Sequence, residues 1–234
     1  MCIRDSLRTE RLDSREEAEA LLAQLQSGAT YTVTLDQSSE IQLADNLTDT
    51  FQPAAGGTFT DVPATHWAAG AVAFVSSQGL LQGTGASAFA PGQPMTRAML
   101  VTALWREAGS PVVNYAMDFD DVDEDQWYTE AVRWAASEGI VTGTGKGFSP
   151  DAALTRESLA AILFRYAGGQ ADADQLGSYA DGAGVSAWAR EAMNWAVAQG
   201  LITGKSGGRL DPGGTASRAE VSAILMRYVQ SAQA

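Results

Sequence analysis

The chain has 234 residues, 45% of them hydrophobic, enough to build one large domain or a few small ones around a real core. Fifteen Lys and Arg against 28 Asp and Glu give a net charge of −13, which disfavours non-specific binding to nucleic acid or to anionic membrane surfaces. One Cys (Cys2) and one His (His66) exclude a disulfide framework, argue against a Cys/His zinc site, and leave a single candidate for any His-dependent catalytic triad.

Met1–Ser6 reads as translated adaptor sequence, so the chain is expected to be the C-terminal part of a longer protein whose targeting signal lies upstream. Ser14 with Glu17 forms a capping box for a short helix through about Gln26. Tyr31–Leu35 and Glu40–Ala44 read as strands. Their apolar faces are too small for an independent core, so residues 1–57 are expected to be a truncated α+β remnant of an upstream domain, ending in a linker. No run approaches the 18 apolar residues of a membrane span.

From residue 58 onward the chain repeats. Trp67, Trp127 and Trp188 are each followed by an aromatic seven residues on (Phe74, Trp134, Trp195) and by a Gly twelve on (Gly79, Gly139, Gly200). A second Gly comes four residues later (Gly83, Gly143, Gly204), then Pro91, Pro150 and Pro212, each preceded two residues earlier by Phe89, Phe148 or Leu210. Six residues past each Pro stands an Arg behind a hydroxyl residue: Thr96 and Arg97, Thr155 and Arg156, Ser217 and Arg218. Ahead of each Trp lies an aromatic-x-Asp step: Phe59 and Asp61, Phe119 and Asp121, Tyr179 and Asp181. The units are placed at 58–110, 117–169 and 177–231.

Each unit resolves into two helices. The first runs from the Trp to the Gly twelve residues on, where a left-handed cap stops it. The Gly-rich stretch that follows is a poor helix former and reads as a loop. Thr96, Thr155 and Ser217 are N-caps for the second helix, with Ser217 and Glu220 forming a capping box. A two-helix unit of this size cannot bury both faces, so the units must pack on one another.

Several residues carry a bland reading beside a functional one. The Trp set is expected to pack in the core at the start of helix one. Asp61, Asp121 and Asp181 read as turn or cap residues before ligand contacts. Arg106, Arg165 and Arg227, nine residues past the first Arg, suit the negative end of helix two or solvent. For Arg97, Arg156 and Arg218, an ion pair between units competes with a ligand role. The acidic run from Asp118 to Asp125 lacks the Gly and Glu that an EF-hand needs and reads as a solvated helix start. His66 recurs in neither other unit and reads as a surface residue. Gly83–Gly85 and Gly143–Gly145 follow no strand, so no dinucleotide site is supported.

Aromatic-x-Asp, Trp, Gly, Gly, Pro and Thr/Ser-Arg in that order, three times, resemble the S-layer homology (SLH) domain. The resemblance implies a mainly α fold of three helix-loop-helix repeats in a pseudo-threefold arrangement around a central helical bundle. It implies a non-catalytic module without cofactor or metal, held outside the cell at the wall or S-layer. Its grooves would bind secondary cell-wall polysaccharide carrying ketal-linked pyruvate, or other peptidoglycan-associated polymers, with no nucleic acid and no membrane insertion. The family's TRAE motif, whose Arg reads the anionic sugar, falls on Thr96-Arg97, Thr155-Arg156 and Ser217-Arg218. Only the third keeps the Glu (Glu220), with Met99 and Ser158 in the other two places. The third unit has one extra residue between Tyr179 and Trp188, a reason for its groove to differ in shape.

Elementary chemistry is compatible with those roles. A forked Arg donor at a helix N-terminus suits a carboxylate. Trp67, Trp127 and Trp188 could stack on sugar, and Gly83, Gly143 and Gly204 would let a ligand approach the backbone. Asp61, Asp121 and Asp181 complete the candidate set, and several weak sites on one polymer would add through effective concentration. The same repeats would also serve as the tether of a surface enzyme whose catalytic domain lies upstream, or as part of a self-assembling scaffold.

Overall fold

The structure, a computed structural model, describes residues 2–4, 9–11, 32–34 and 59–232, apart from residues 86, 144, 146, 171 and 172. Residues 1–55 and 56–234 are separate compact units. In the first, β1 (Cys2–Arg4), β2 (Thr9–Arg11) and β3 (Thr32–Thr34) form an antiparallel sheet in the order β2-β1-β3, with Ile3 opposite both Glu10 and Val33. The strand expected over Tyr31–Leu35 is therefore β3, and its partner is β1. The helix expected from Ser14 and the strand expected over Glu40–Ala44 lie outside the described residues.

Among the described residues the second unit carries six α-helices, two per repeat. These are α1 (Ala69–Ser77) and α2 (Arg97–Glu107), α3 (Thr129–Ser137) and α4 (Arg156–Tyr166), α5 (Arg190–Ala198) and α6 (Arg218–Ala232). The first helix of each repeat stops as the sequence predicts. Gly79, Gly139 and Gly200 have φ of +68°, +69° and +67°. In each case the Gly N–H and the next N–H bond back into the last turn, as with Gly79 to Ser76 and Leu80 to Val75. The residue after the Gly is buried (Leu80, Ile140, Leu201), which completes the hydrophobic half of this cap.

The second helix is capped by its hydroxyl residue. Thr96 Oγ1 accepts from Met99 N–H, Thr155 Oγ1 from Ser158 N–H and Ser217 Oγ from Glu220 N–H. Glu220 Oε2 in turn accepts from Ser217 N–H at 2.9 Å, closing the capping box. The two caps without Glu hold through the hydroxyl.

Packing joins the repeats in a cycle. Helix α1 packs on α6, α3 on α2, and α5 on α4, so the first helix of every repeat lies against the second helix of another. The backbone closes the same cycle just before the second helices. Met95 N–H donates to Ala216 O, Leu154 N–H to Met95 O, and Ala216 N–H to Leu154 O, a ring of three hydrogen bonds between equivalent positions of the three repeats. Around it Phe89, Phe148, Leu100, Leu104, Leu159 and Leu163 are fully buried. A buried side chain of this size contributes about 1.5–3 kcal/mol, and these residues belong to one core cluster drawn from all three repeats.

Trp67, Trp127 and Trp188 depart from the expected core position: they are 65%, 59% and 59% exposed. Each helix begins two residues after its Trp. The buried place goes instead to the following residue (Ala68, Tyr128, Ala189), and in the second and third repeats also to the aromatic seven residues on, Trp134 and Trp195.

Candidate ligand-binding grooves between the repeats

The repeated Arg residues sit at the seams. Arg97 Nε donates to Phe148 O, Arg156 Nε to Leu210 O and Arg218 Nε to Phe89 O, each reaching the loop of another repeat at 2.7–2.9 Å. Arg156 Nη2 also donates to Thr203 O, and Arg218 Nη2 to Gln82 O. Arg97 and Arg218 lie over the rings of Phe148 and Phe89, 4.8 and 4.4 Å from the centroids. Arg156 and Arg218 are 4% exposed and Arg97 is half-buried. Burial lowers the pKa of all three guanidiniums from the ordinary value, yet an Arg so placed stays cationic.

The backbone donors beside them are also engaged. Arg97, Arg156 and Arg218 N–H donate to the carbonyls of Ala152, Gly214 and Gln93, and the next N–H in each helix to Pro150, Pro212 and Pro91. The neighbouring repeat's loop thus satisfies the first backbone donors of each second helix, so at the helix N-terminus that was expected to suit a carboxylate these N–H groups are already bonded to protein carbonyls.

The aspartates are loop clamps. Asp61 accepts from Phe89 and Ala90 N–H, Asp121 from Phe148 and Ser149, and Asp181 from Leu210 and Asp211, all at 2.7–2.9 Å. The second donor in each pair has positive φ: 56° at Ala90, 59° at Ser149 and 53° at Asp211. A left-handed non-Gly residue costs roughly 1–2 kcal/mol, and the carboxylate holds it in place. The hydrogen bond from Phe89 N–H does most to hold the Asp61 carboxyl below its ordinary pKa. At Asp181 burial pushes the pKa up, but the Leu210 and Asp211 N–H groups outweigh it and the net shift is downward.

Gly83, Gly143 and Gly204 answer to the same aromatic-x-Asp step. A Cβ at each would lie 2.8 Å from a ring carbon of Phe59, Phe119 or Tyr179. Their small size serves the packing of that ring. Arg106, Arg165 and Arg227 reach back to the carbonyls of Leu80, Ile140 and Leu201, tying the second helix to the end of the first within each repeat. His66 is half-buried, its Nδ1 accepting from Ala68 N–H.

Where α1 meets α6, these parts frame a cavity of about 170 Å³ lined by Trp67 of the first repeat, Arg156 of the second, and Thr203, Gly204, Lys205, Glu220, Ala223, Ile224 and Arg227 of the third. Glu220 Oε1 lies 3.6 Å from Arg156 Nη1 and 3.3 Å from Lys205 Nζ, and Lys205 also meets Asp211 at 2.9 Å. Burial raises the Glu220 pKa, but the Ser217 N–H, Lys205 and Arg156 outweigh it, and the net shift is downward. Three cations and one carboxylate line this cavity of a protein that carries −13 overall. A larger hollow of about 490 Å³ in the second repeat, lined by Asp121, Asp123, Asp151 and Tyr128 among others, is acidic and would repel an anion.

Among the candidate residues, the structure thus brings Trp67, Arg156 and Gly204 together in one groove. It places Thr96, Thr155 and Ser217 in caps, and the three aspartates in loops. Lys205 is a groove residue that the repeat pattern did not single out, and Arg227, which the pattern marked only as a helix-end or solvated cation, also lines the groove. The signal for Lys205 was present in composition, since the chain has only two lysines, Lys146 and Lys205, both in the Gly-rich loops.

The S-layer homology domain family model matches residues 58–98, 118–160 and 178–222, the stretches that carry the caps, clamps and seam arginines described above. The chain belongs to the S-layer homology domain family. It is 28% identical over 182 residues to the S-layer protein sap of Bacillus anthracis, which covers 74% of this chain and 21% of that protein. It is 29% identical over 172 residues to an amylopullulanase of Thermoanaerobacterium thermosulfurigenes, covering 72% of this chain and 9% of the enzyme. A solved undecaheme cytochrome from the S-layer of Carboxydothermus ferrireducens aligns with TM-score 0.32 and 24% identity over 58% of this chain and 21% of that one. The chain spans about a fifth of the S-layer relative's length. SLH domains are non-catalytic modules that anchor S-layer proteins and surface enzymes to the cell wall. No helix among the described residues is long and apolar enough to cross a membrane.

Proposed function

We propose that the three SLH repeats hold their parent protein to the wall outside the cell by binding secondary cell-wall polysaccharide that carries ketal-linked pyruvate, in grooves between repeats. The observation that carries this reading is the groove of Trp67, Arg156 and Lys205, where an exposed indole stands beside a cluster of positive charge. An indole face packs on the apolar face of a sugar ring, and the cations favour a pyruvyl carboxylate. Arg97, Arg156 and Arg218 set the shape and charge of the groove floors, and Trp67, Trp127 and Trp188 offer the sugar platforms. The cyclic helix pairing supports a pseudo-threefold arrangement in which one polymer contacts more than one groove, adding weak sites through effective concentration.

Calorimetric titration of the protein with purified wall polysaccharide, before and after mild acid removal of pyruvate, tests the reading. Binding lost with the pyruvate, and weakened in folded Trp67→Ala, supports it; equal affinity for both polymers sinks it. The seam arginines are poor probes, because removing them disturbs the fold. As for the cargo, similarity to both an S-layer protein and an amylopullulanase supports a tether for either a lattice subunit or a surface enzyme. The reading frame upstream decides between them.

A further inference from the structure

The three seams follow one pattern but differ in charge. The position after the second repeated Gly is Thr84 in the first repeat, Thr144 in the second and Lys205 in the third. The N3 position of the second helix is Met99, Ser158 and Glu220 in the same order. The cyclic seam bonds put Lys205 and Glu220 together with Arg156. The equivalent seam at Arg218 is formed with the first-repeat loop, through Gln82 and Phe89, and there the two places hold Thr84 and Met99. The seam at Arg97 uses the second-repeat loop, through Phe148, with Ser158 in the place of Glu220.

The groups on Arg156 already have work. Nε and Nη2 are spent on the Leu210 and Thr203 carbonyls, and Nη1 faces Glu220. That guanidinium fixes the third-repeat loop and lends the groove its field. Lys205 is differently placed. Its side chain is 36% exposed, and its ammonium carries three donors and meets the carboxylates of Asp211 and Glu220 among the described residues. Its backbone N–H is bonded to Arg209 O at 2.7 Å, which anchors the base of the side chain. One carboxylate, Glu220, already sits between Arg156 and Lys205, so the spacing of the two cations suits a carboxylate.

We propose that Lys205 is the specificity-determining contact for a carboxylate-bearing sugar, and that it makes the groove of Trp67 and Arg156 the primary site of the three. This rests on the anchoring reading above. Arg156 acts here as a positioning residue, and the ligand's carboxylate takes its direct hydrogen bond from the Lys205 ammonium while its ring lies on Trp67. The grooves related to it by the repeat bind the same polymer more weakly.

The test uses the full 234-residue chain and a small probe, a monosaccharide bearing ketal-linked pyruvate, with its pyruvate-free parent as control. We expect one dominant site by calorimetry. Lys205→Met, which keeps the stem and removes the charge, should weaken it about tenfold or more, the worth of one charge-assisted hydrogen bond. Lys205→Arg should restore binding to within a few-fold, and Lys146→Met should leave it unchanged. Each variant should stay folded by circular dichroism, with Lys205→Met only slightly destabilised, as suits the loss of ion pairs at a part-exposed side chain. The inference is overturned if the pyruvylated probe binds and folded Lys205→Met binds equally well, or if three equal sites are seen; the anchoring reading would survive either result. If neither pyruvylated probe nor pyruvylated polymer binds the parent chain, the anchoring reading falls and this inference with it.

Discussion

Arg218 and Phe89 stand 129 residues apart in the chain, yet the guanidinium donates to the Phe89 carbonyl at 2.8 Å and lies 4.4 Å from the centroid of its ring. This contact joins the last repeat to the first. With the Met95, Leu154 and Ala216 backbone ring, it makes the three repeats one cooperative body in place of an open stack.

Removing that guanidinium should therefore cost fold stability. Arg218→Ala leaves the Phe89 and Gln82 carbonyls without their donors. Two acceptors at about 1–3 kcal/mol each give roughly 2–6 kcal/mol. Arg218→Lys should recover only part, because one ammonium lacks the planar fork that serves both carbonyls. Urea unfolding followed by circular dichroism checks the order parent, Lys, Ala. Trp67→Ala, at an exposed position, should lie within about 1 kcal/mol of the parent. An Ala variant at position 218 as stable as the parent would show that the seam does not hold the repeats together.

The second repeated Gly should resist substitution for steric reasons that differ in degree. At Gly83 an added Cβ meets Ala88 O at 2.7 Å as well as the Phe59 ring, and at Gly143 it meets Gly147 O at 2.9 Å as well as the Phe119 ring. At Gly204 the tight contact is the Tyr179 ring, with the nearest backbone oxygen, Arg209 O, at 3.4 Å. A ring can swing aside more cheaply than a backbone carbonyl. Gly83→Ala and Gly143→Ala should each destabilise by about 1–3 kcal/mol, and Gly204→Ala by less. Thermal denaturation of the three variants ranks them, and a Gly204 variant as damaged as the others would contradict the geometry.

Acid should loosen the loop clamps. The Asp61 pKa is lowered chiefly by the Phe89 N–H, and the Asp181 pKa is lowered on balance by the Leu210 and Asp211 N–H groups against burial. A carboxyl with a depressed folded pKa adds stability above its ordinary value near 3.8 and loses it as pH falls through the folded value. Melting temperature should accordingly drop below about pH 4. Asp61→Asn offers one acceptor oxygen where two N–H groups donate, so it should lower stability at neutral pH and flatten this acid decline. A decline as steep in the Asn variant as in the parent would assign the acid sensitivity elsewhere.

Much of this architecture could be read from spacing. The caps at Thr96, Thr155 and Ser217 and the left-handed stops at Gly79, Gly139 and Gly200 are local, and local rules locate them. What spacing could not convey was direction. It marks Trp67, Trp127 and Trp188 as apolar, but whether each points inward depends on the helix starting two residues later. It marks Gly83, Gly143 and Gly204 as small, while the ring that requires smallness lies more than 20 residues earlier, at Phe59, Phe119 and Tyr179. The arginines stand at recurrent positions, yet their partners belong to other repeats. Lys205 eluded the pattern because it breaks the repeat, and a residue that differs between copies is invisible to a search for sameness.

The far ends of the second helices provide an alkaline test. Glu107, Tyr166 and Tyr228 occupy equivalent positions, each ten residues past the repeated Arg. The Tyr166 hydroxyl donates to the Glu107 carboxylate, and the Tyr166 and Tyr228 rings lie 5.7 Å apart. Burial, then the Glu107 hydrogen bond, raises the Tyr166 pKa far above the ordinary value, and burial followed by the Glu107 charge raises that of Tyr228. A phenol with a raised folded pKa holds its proton longer in the folded state. Its contribution to stability is therefore complete below about pH 10 and is lost as pH climbs beyond that value. Tyrosinate absorbance should show these two phenols titrating late, with the transition coupled to unfolding. Tyr166→Phe keeps the edge contact with the Trp134 ring but removes the donor to Glu107. It should cost about 1–2 kcal/mol at neutral pH and make stability less sensitive to pH above about 10. If the Phe variant loses stability in that alkaline range as steeply as the parent, the Tyr166–Glu107 pair does not govern the alkaline limit of this fold.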